Sequence, residues 1–299
     1  MKVFLTGATG YIGTAVAERL RAAGHQLSGL ARSDEAAAKL DAAGVTPIRG
    51  DFTNPAAVAS GARSANAVIS MATTYDAKVD APAVDAILDA LAGSNKPFIY
   101  TSGIWVNGDT GGIVVDETTP ADPVELVAWR KAVEDRVLEA AGRGVRSVVI
   151  RPAIVYGRGG GIPAGFRDSA RKKGAALFVG SGENRWPTVH VDDLADLYLL
   201  ALERAPGGTL LLAAAGPAHP VKELAAAASR GAGGSGNTAE WPIEQAREEL
   251  GSGYADALTL DQQASSRRAE ELLGWRPHRP GPIEDLESGS YAGAKAIGR

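Results

Sequence analysis

The first 150 residues alternate short, nearly unbroken apolar runs with longer Ala-rich stretches whose apolar positions recur at helical spacing. Continuous apolar runs suit strands covered on both faces, and their alternation with helices is the pattern of a parallel sheet with crossover helices. The strand runs are Val3–Thr6, Gln26–Ala31, Val45–Arg49, Ala67–Met71, Phe98–Ser102 and Ser147–Arg151, with helices expected near Tyr11–Ala23, Glu35–Ala43, Pro55–Ala62, Val79–Ala92 and Val124–Ala141. Gly24, Gly44, Gly93 and Gly142 stand at helix ends, where glycine enters the left-handed cap without a Cβ penalty. After Arg151 the regularity weakens. Val155–Pro163 is too glycine-dense for a helix. Beyond it, Asp192–Leu202 reads as a helix capped by Asp192, and Thr209–Ala213 as a strand. Helices follow at Val221–Ser229, Ile243–Leu250 and Gln262–Leu273, and the tail after Pro277 has no strong pattern.

Composition narrows the picture. A chain of 299 residues is long enough for one large domain, or a main domain with a smaller partner. Cys is 0, which removes disulfides, thiol catalysis and Cys-ligated zinc. The 31 basic and 35 acidic residues give a net charge of −4, without the basic excess that a nucleic-acid surface requires. No apolar run approaches a membrane span, and no signal region precedes the first strand, so the expectation is a cytoplasmic protein with neither membrane nor nucleic acid as partner. The four histidines are scattered among the carboxylates, so no metal site is expected.

The 37 glycines are the unusual feature, and the first three carry chemistry. Leu5-Thr6-Gly7-Ala8-Thr9-Gly10-Tyr11-Ile12-Gly13 follows the first strand and opens a helix. Gly7 permits a tight turn, Gly10 lets the backbone approach a pyrophosphate, and Gly13 lets the helix pack closely on the sheet. Free N–H groups at Tyr11 and Ile12 and the helix dipole favour the anion. No Lys-Ser/Thr pair follows, so this is not a nucleoside-triphosphate loop. The second strand ends in Ala31-Arg32-Ser33, at the position that meets the adenosine ribose, where an arginine suits a 2′-phosphate. Arg32 therefore points to NADP(H). Asp51 and Phe52, ending the third strand, stand either beside the adenine or in a simple turn.

Together these segments resemble the extended or atypical short-chain dehydrogenase/reductase family over nearly the full length. The likeness rests on the glycine loop, Gly50-Asp51-Phe52, Tyr100-Thr101-Ser102-Gly103, Arg151-Pro152-Ala153-Ile154-Val155-Tyr156-Gly157, Val189-His190-Val191-Asp192-Asp193-Leu194-Ala195, and the late Glu271-Leu272-Leu273-Gly274-Trp275-Arg276-Pro277. The resemblance implies an α/β, doubly wound parallel sheet (Rossmann fold). Residues 1–156 would form the dinucleotide-binding domain and 157–299 a smaller, interleaved, mainly substrate-binding region, with 189–213 returning to the core. It implies a cofactor set of Gly7, Thr9, Gly10, Tyr11, Ile12, Gly13, Arg32, Ser33, Asp51, Phe52, Met71, Ala72, Lys131, Pro152 and Val155.

The family's usual proton relay is Tyr-x-x-x-Lys on a helix, with a Ser or Thr at the end of the fifth strand. Here Lys131 matches the lysine, Val127 stands at the tyrosine position, Gly103 at the usual Ser/Thr position, and Ser102 one residue early. The proton could come from Tyr75, Ser102 or a bound water. Alternatively the reaction needs little proton transfer to oxygen, or cofactor binds without turnover. Trp105, Trp129, Trp186 and His190 are candidate substrate contacts. The leading expectation is an NADP(H)-dependent oxidoreductase acting on a small organic carbonyl, imine or activated double bond, with Lys131, Ser102 and Tyr75 as catalytic candidates. The rivals are a sugar-nucleotide epimerase or dehydratase and a non-catalytic NADP(H) sensor. A homodimer through the helices near 80–92 and 124–141 is a further expectation.

Overall fold

In the computed structural model, which describes residues 1–293, seven parallel strands form the central sheet. β1 (Lys2–Thr6), β2 (Gln26–Ala31), β3 (Val45–Arg49), β4 (Ala67–Ser70) and β5 (Pro97–Thr101) lie in the order β3-β2-β1-β4-β5, followed by the strands Arg146–Pro152 and Thr209–Ala213. Val3, Phe4 and Leu5 of β1 and Ala67, Val68 and Ile69 of β4 are fully buried because helices cover both faces. The strand order reverses between β1 and β4, which opens a crevice beyond their carboxyl ends.

α1 (Tyr11–Ala22) and α2 (Asp34–Ala42) cover one face, while α3 (Pro55–Ser64), α4 (Ala77–Leu91) and α5 (Ala128–Glu139) cover the other. Ala83, Val84, Ile87, Leu88 and Leu91 of α4 are buried by the chain's own core, so the core by itself accounts for the apolar pattern of that helix. The segment expected as one helix over 124–141 is a 3-10 turn, Glu125–Val127, then α5, then a second 3-10 turn, Ala140–Arg143. The left-handed residue ending it is Gly144, at φ 73°, rather than Gly142.

A second core lies beyond the sheet. It is built by α6 (Ala164–Lys173), α8 (Val221–Gly231), α9 (Ile243–Leu250), α10 (Ser252–Leu258) and α12 (Pro282–Ser288), while α7 (Val191–Arg204) and α11 (Arg267–Leu273) pack back on the sheet. Three expectations need correction here. Gln262–Leu273 is not one helix. Gln262 donates its side-chain amide to the carbonyls of Ile104 and Gly108, and Gln263–Ala264 pair as a strand with Val114–Val115 before α11 starts. The tail after Pro277 does fold, because Leu286 of α12 is buried against α8. The N-cap of α7 is His190 and not Asp192; the ring Nδ1 accepts the Asp192 N–H at 3.1 Å. In the glycine-rich segment, Ile154–Tyr156 pairs with Thr188–His190, and the loop starts at Gly157.

Asp193 ties the late segment to α7. Its carboxylate accepts the N–H groups of His278 and Arg279, while its carbonyl accepts the Trp275 indole N–H. No helix among the described residues is long and apolar enough to cross a membrane.

Candidate active site

The turn from β1 into α1 is set by contacts that leave no room for side chains. Gly7 is at φ 74°, and a Cβ there would lie 2.7 Å from the Ala72 nitrogen. A Cβ on Gly13 would lie 2.0 Å from the Gly7 carbonyl, so only glycine lets α1 sit this close to the turn. Gly10 is the N-cap of α1 and supplies no side-chain acceptor, which leaves the first-turn N–H groups facing the crevice. The β4 end is pinned beside it. The Thr6 hydroxyl bonds Ser70 Oγ at 3.0 Å and accepts the N–H groups of Met71 and Ala72. Gly7, Gly10, Tyr11, Ile12, Gly13, Met71 and Ala72 therefore meet at one end of the sheet. At the β2 and β3 ends, Arg32 is exposed with no ion-pair partner among the described residues, and Ser33 caps α2 by accepting the Ala36 N–H. The Asp51 carboxyl is held below the ordinary range, first by the Thr53 N–H and in smaller part by the charge of Arg32. Phe52 packs on the core below. This open, uncapped cradle fits the diphosphate and ribose of a dinucleotide.

Next to the glycine turn is a cavity of about 300 Å³ lined by Tyr11, Ile12, Tyr75, Ser102, Gly103, Trp105, Val127, Arg130, Pro152 and Val155, among others. The orientation of α5 decides which cation enters it. Glu134 is fully buried and takes a two-pronged ion pair from Arg151, whose Nη1 also donates to Asn107. Four residues earlier on the same helix face stands Arg130, which is thereby aimed at the cavity. Lys131 is turned one step round the helix and bonds Asp135 on the half-exposed side, outside the cavity lining. Arg130 is 5% exposed, donates to Thr73 Oγ1 at 2.9 Å, and packs against the rings of Tyr75 and Trp129, 5.2 and 5.3 Å from their centroids. It has no carboxylate partner among the described residues, and its Nε has no hydrogen-bond partner. A buried cation in this state is costly unless a ligand group completes its shell.

The remaining candidates divide. Ser102 is buried on the cavity wall with an unpartnered hydroxyl. Tyr75 forms the open lip, half exposed and held at φ 60°. Gly103 leaves space: a Cβ there would meet only Arg130 Nη1, at 3.9 Å. Trp105 lines this cavity, whereas Trp186 lines a neighbouring one, and Trp129 and His190 line neither. His190 packs its ring edge-on to Tyr156 and is pushed down by burial, which favours the neutral cap. Burial raises the Tyr11 hydroxyl well above the usual phenol range, and that hydroxyl donates to the Gly157 carbonyl. Asp193, Asp196 and His278 bring ligand atoms within 4.8 Å of one another, yet Asp193 is occupied by backbone N–H groups and Asp196 by Arg19. Sequence reasoning missed Arg130. The sequence offers no signal that singles it out, since Arg130 and Lys131 each have a carboxylate four residues on, Glu134 and Asp135.

The model of the NAD dependent epimerase/dehydratase family matches residues 3–213. The chain belongs to that family. Among relatives of this epimerase-family protein, the uncharacterized protein C2A9.02 of Schizosaccharomyces pombe is 34% identical, the match covering 97% of this chain and 100% of the relative. The 4-hydroxy-2-methyl-3-oxo-4-farnesyl-3,4-dihydroquinoline-1-oxide ketoreductase of Stigmatella aurantiaca is 29% identical, over 70% of this chain and 66% of that one. Among solved structures, human epimerase family protein SDR39U1 with NADPH superposes with a TM-score of 0.74 at 22% identity, covering 97% of this chain and 99% of that one. The family's fold and its nucleotide-binding cradle agree with the geometry above, and its members are enzymes of the oxidoreductase or epimerase type.

Proposed function

We propose that this protein is an NADP(H)-dependent reductase of an organic ketone. The observation that carries the reading is Arg130, a buried guanidinium without an ion-pair partner among the described residues, opening into a cavity beside a glycine cradle that fits a dinucleotide. Arg32, exposed at the end of β2 and without an ion-pair partner among the described residues, supports the 2′-phosphorylated cofactor. A ketoreductase among the relatives and NADPH in the SDR39U1 structure point the same way.

When bound, the reduced nicotinamide supplies a hydride to the carbonyl carbon and is left oxidised. Gly7, Gly10, Gly13 and the first turn of α1 would hold the diphosphate, and Pro152 and Val155, on the cavity wall, would contact the nicotinamide end. As the C=O π pair moves onto oxygen, Arg130 stabilises the developing negative charge, and the Ser102 hydroxyl orients that oxygen. A guanidinium does not release its proton at working pH. The proton that completes the alcohol therefore enters from the open side, where Tyr75 stands.

The test is a fluorescence titration with NADPH followed by NADPH consumption against a panel of ketones. Saturable binding with consumption is expected. Arg32→Asp should weaken NADPH binding about ten- to hundredfold, the weight of a charge-assisted contact. Equal affinity for NADPH in that variant would remove the cofactor assignment, and binding without any turnover would favour a sensor.

A further inference from the structure

Gly161 and Ile162 line both the cavity at Arg130 and a second, neighbouring cavity of about 690 Å³, a volume in the range of small-molecule sites. Its walls are aromatic and aliphatic. Phe166 and Trp186 stack with centroids 5.7 Å apart, and the buried Phe178 and Leu258 and the part-buried Trp241 also line the wall. The one polar side-chain atom of Trp186 is spent on the Leu258 carbonyl, so its indole leaves no free donor for the cavity. The charged groups lie at the margin: Lys172, Lys173 and Glu249 are exposed, and Asp168 is held by Arg167.

We infer that the second cavity binds the apolar chain of the substrate whose carbonyl rests against Arg130, so that the preferred substrates are ketones bearing a long aliphatic chain. The inference rests on the ketone-reductase reading and names its substrate class. The Arg130 cavity offers a buried cation and a hydroxyl, and its neighbour across Gly161 and Ile162 offers mainly apolar walls with charged groups at the margin. A carbonyl with a tail matches both at once. A nucleoside diphosphate is the competing occupant, because its phosphates would seek the N-terminus of α6, which borders this cavity at Ala164 and Gly165, while no buried cation lines it among the described residues. The lysines here are exposed and sit at the C-terminal end of α6, where the helix dipole is negative.

The test uses the full chain saturated with NADP⁺ and a series of methyl ketones from pentanone to undecanone, read by quenching of tryptophan fluorescence, since Trp186 and Trp241 line the cavity. Turnover of the same series with NADPH is measured in parallel. Each added methylene should tighten Kd by about fourfold until the cavity is filled, the transfer value for a buried CH₂. Leu177→Trp, which fills the cavity from a half-buried wall position, should lower the undecanone-to-pentanone affinity ratio at least about tenfold. Ala164→Phe, at the start of α6, gives an independent second blockade. An affinity that stays flat along the series would overturn the inference, as would UDP-glucose displacing undecanone from a tighter site. Affinity that rises with chain length without NADPH consumption would keep the cavity assignment and overturn the reductase reading.

Discussion

Arg130 and Lys131 are adjacent in sequence and meet different surroundings. Each has a carboxylate four residues on, Glu134 and Asp135, so helical spacing by itself treats the two pairs alike. The difference is made by Arg151, which draws Glu134 inward and carries Arg130 to the cavity while Lys131 stays on Asp135. Arg130→Met should lower kcat/KM for a ketone by about a hundredfold or more, in the range seen when one donor to a developing oxyanion is lost. Lys131→Met should change it less than about threefold, because an exposed pair contributes little. The reverse ranking would return the role to Lys131. NADPH affinity measured on both variants separates a loss in chemistry from a loss in cofactor binding.

At the level of elements, the glycine turn was legible because its constraint is local. Spacing after a strand, a helix start, and the need for bare backbone at Gly7 and Gly13 are all encoded within a dozen residues. The lock between α5 and the strand Arg146–Pro152 was not legible, since its partners are 17 residues apart and the pairing depends on how the helix lies on the sheet. That lock is a buried ion pair at 3% and 1% side-chain exposure. Arg151→Met strands a buried carboxylate and should cost about 3–5 kcal/mol, read as a fall in the thermal unfolding midpoint. Arg151→Met combined with Glu134→Leu should recover most of that loss. A double variant as unstable as the single one would show that packing, and not the orphaned charge, sets the cost. The misread of Gln262–Leu273 has the same origin: helical spacing is present, but Gln262 is claimed by carbonyls of the 104–108 turn.

For the whole molecule, α7 joins the sheet to the late segment, and its cap titrates. Burial lowers the pKa of His190, with smaller opposing effects from Asp192, Asp285 and Asp193. A depressed folded value means that the unfolded chain takes up the proton first. The contribution of His190 is therefore complete above its unfolded value of about 6.5 and is lost as pH falls through the lower folded value. The unfolding midpoint should drop as pH falls below about 6.5, and His190→Asn, which keeps a capping acceptor, should flatten that drop. His25, also lowered by burial, is common to both proteins and cancels in the comparison. Identical pH slopes would assign the effect elsewhere.

The amino-acid sequence by itself determined the alternation of strands and helices, the parallel sheet and the phosphate cradle, because each depends on local periodicity or on backbone that only glycine can adopt. It also determined that thiol chemistry is absent. The tertiary structure decided which of two neighbouring cations faces the cavity, which residue caps α7, and that a second, largely apolar cavity lies next to the Arg130 cavity, bordered by α6, α9 and α10. Those outcomes rest on the rotation of a helix about its axis and on contacts between segments far apart in the chain, and a periodic pattern specifies neither until the elements are packed.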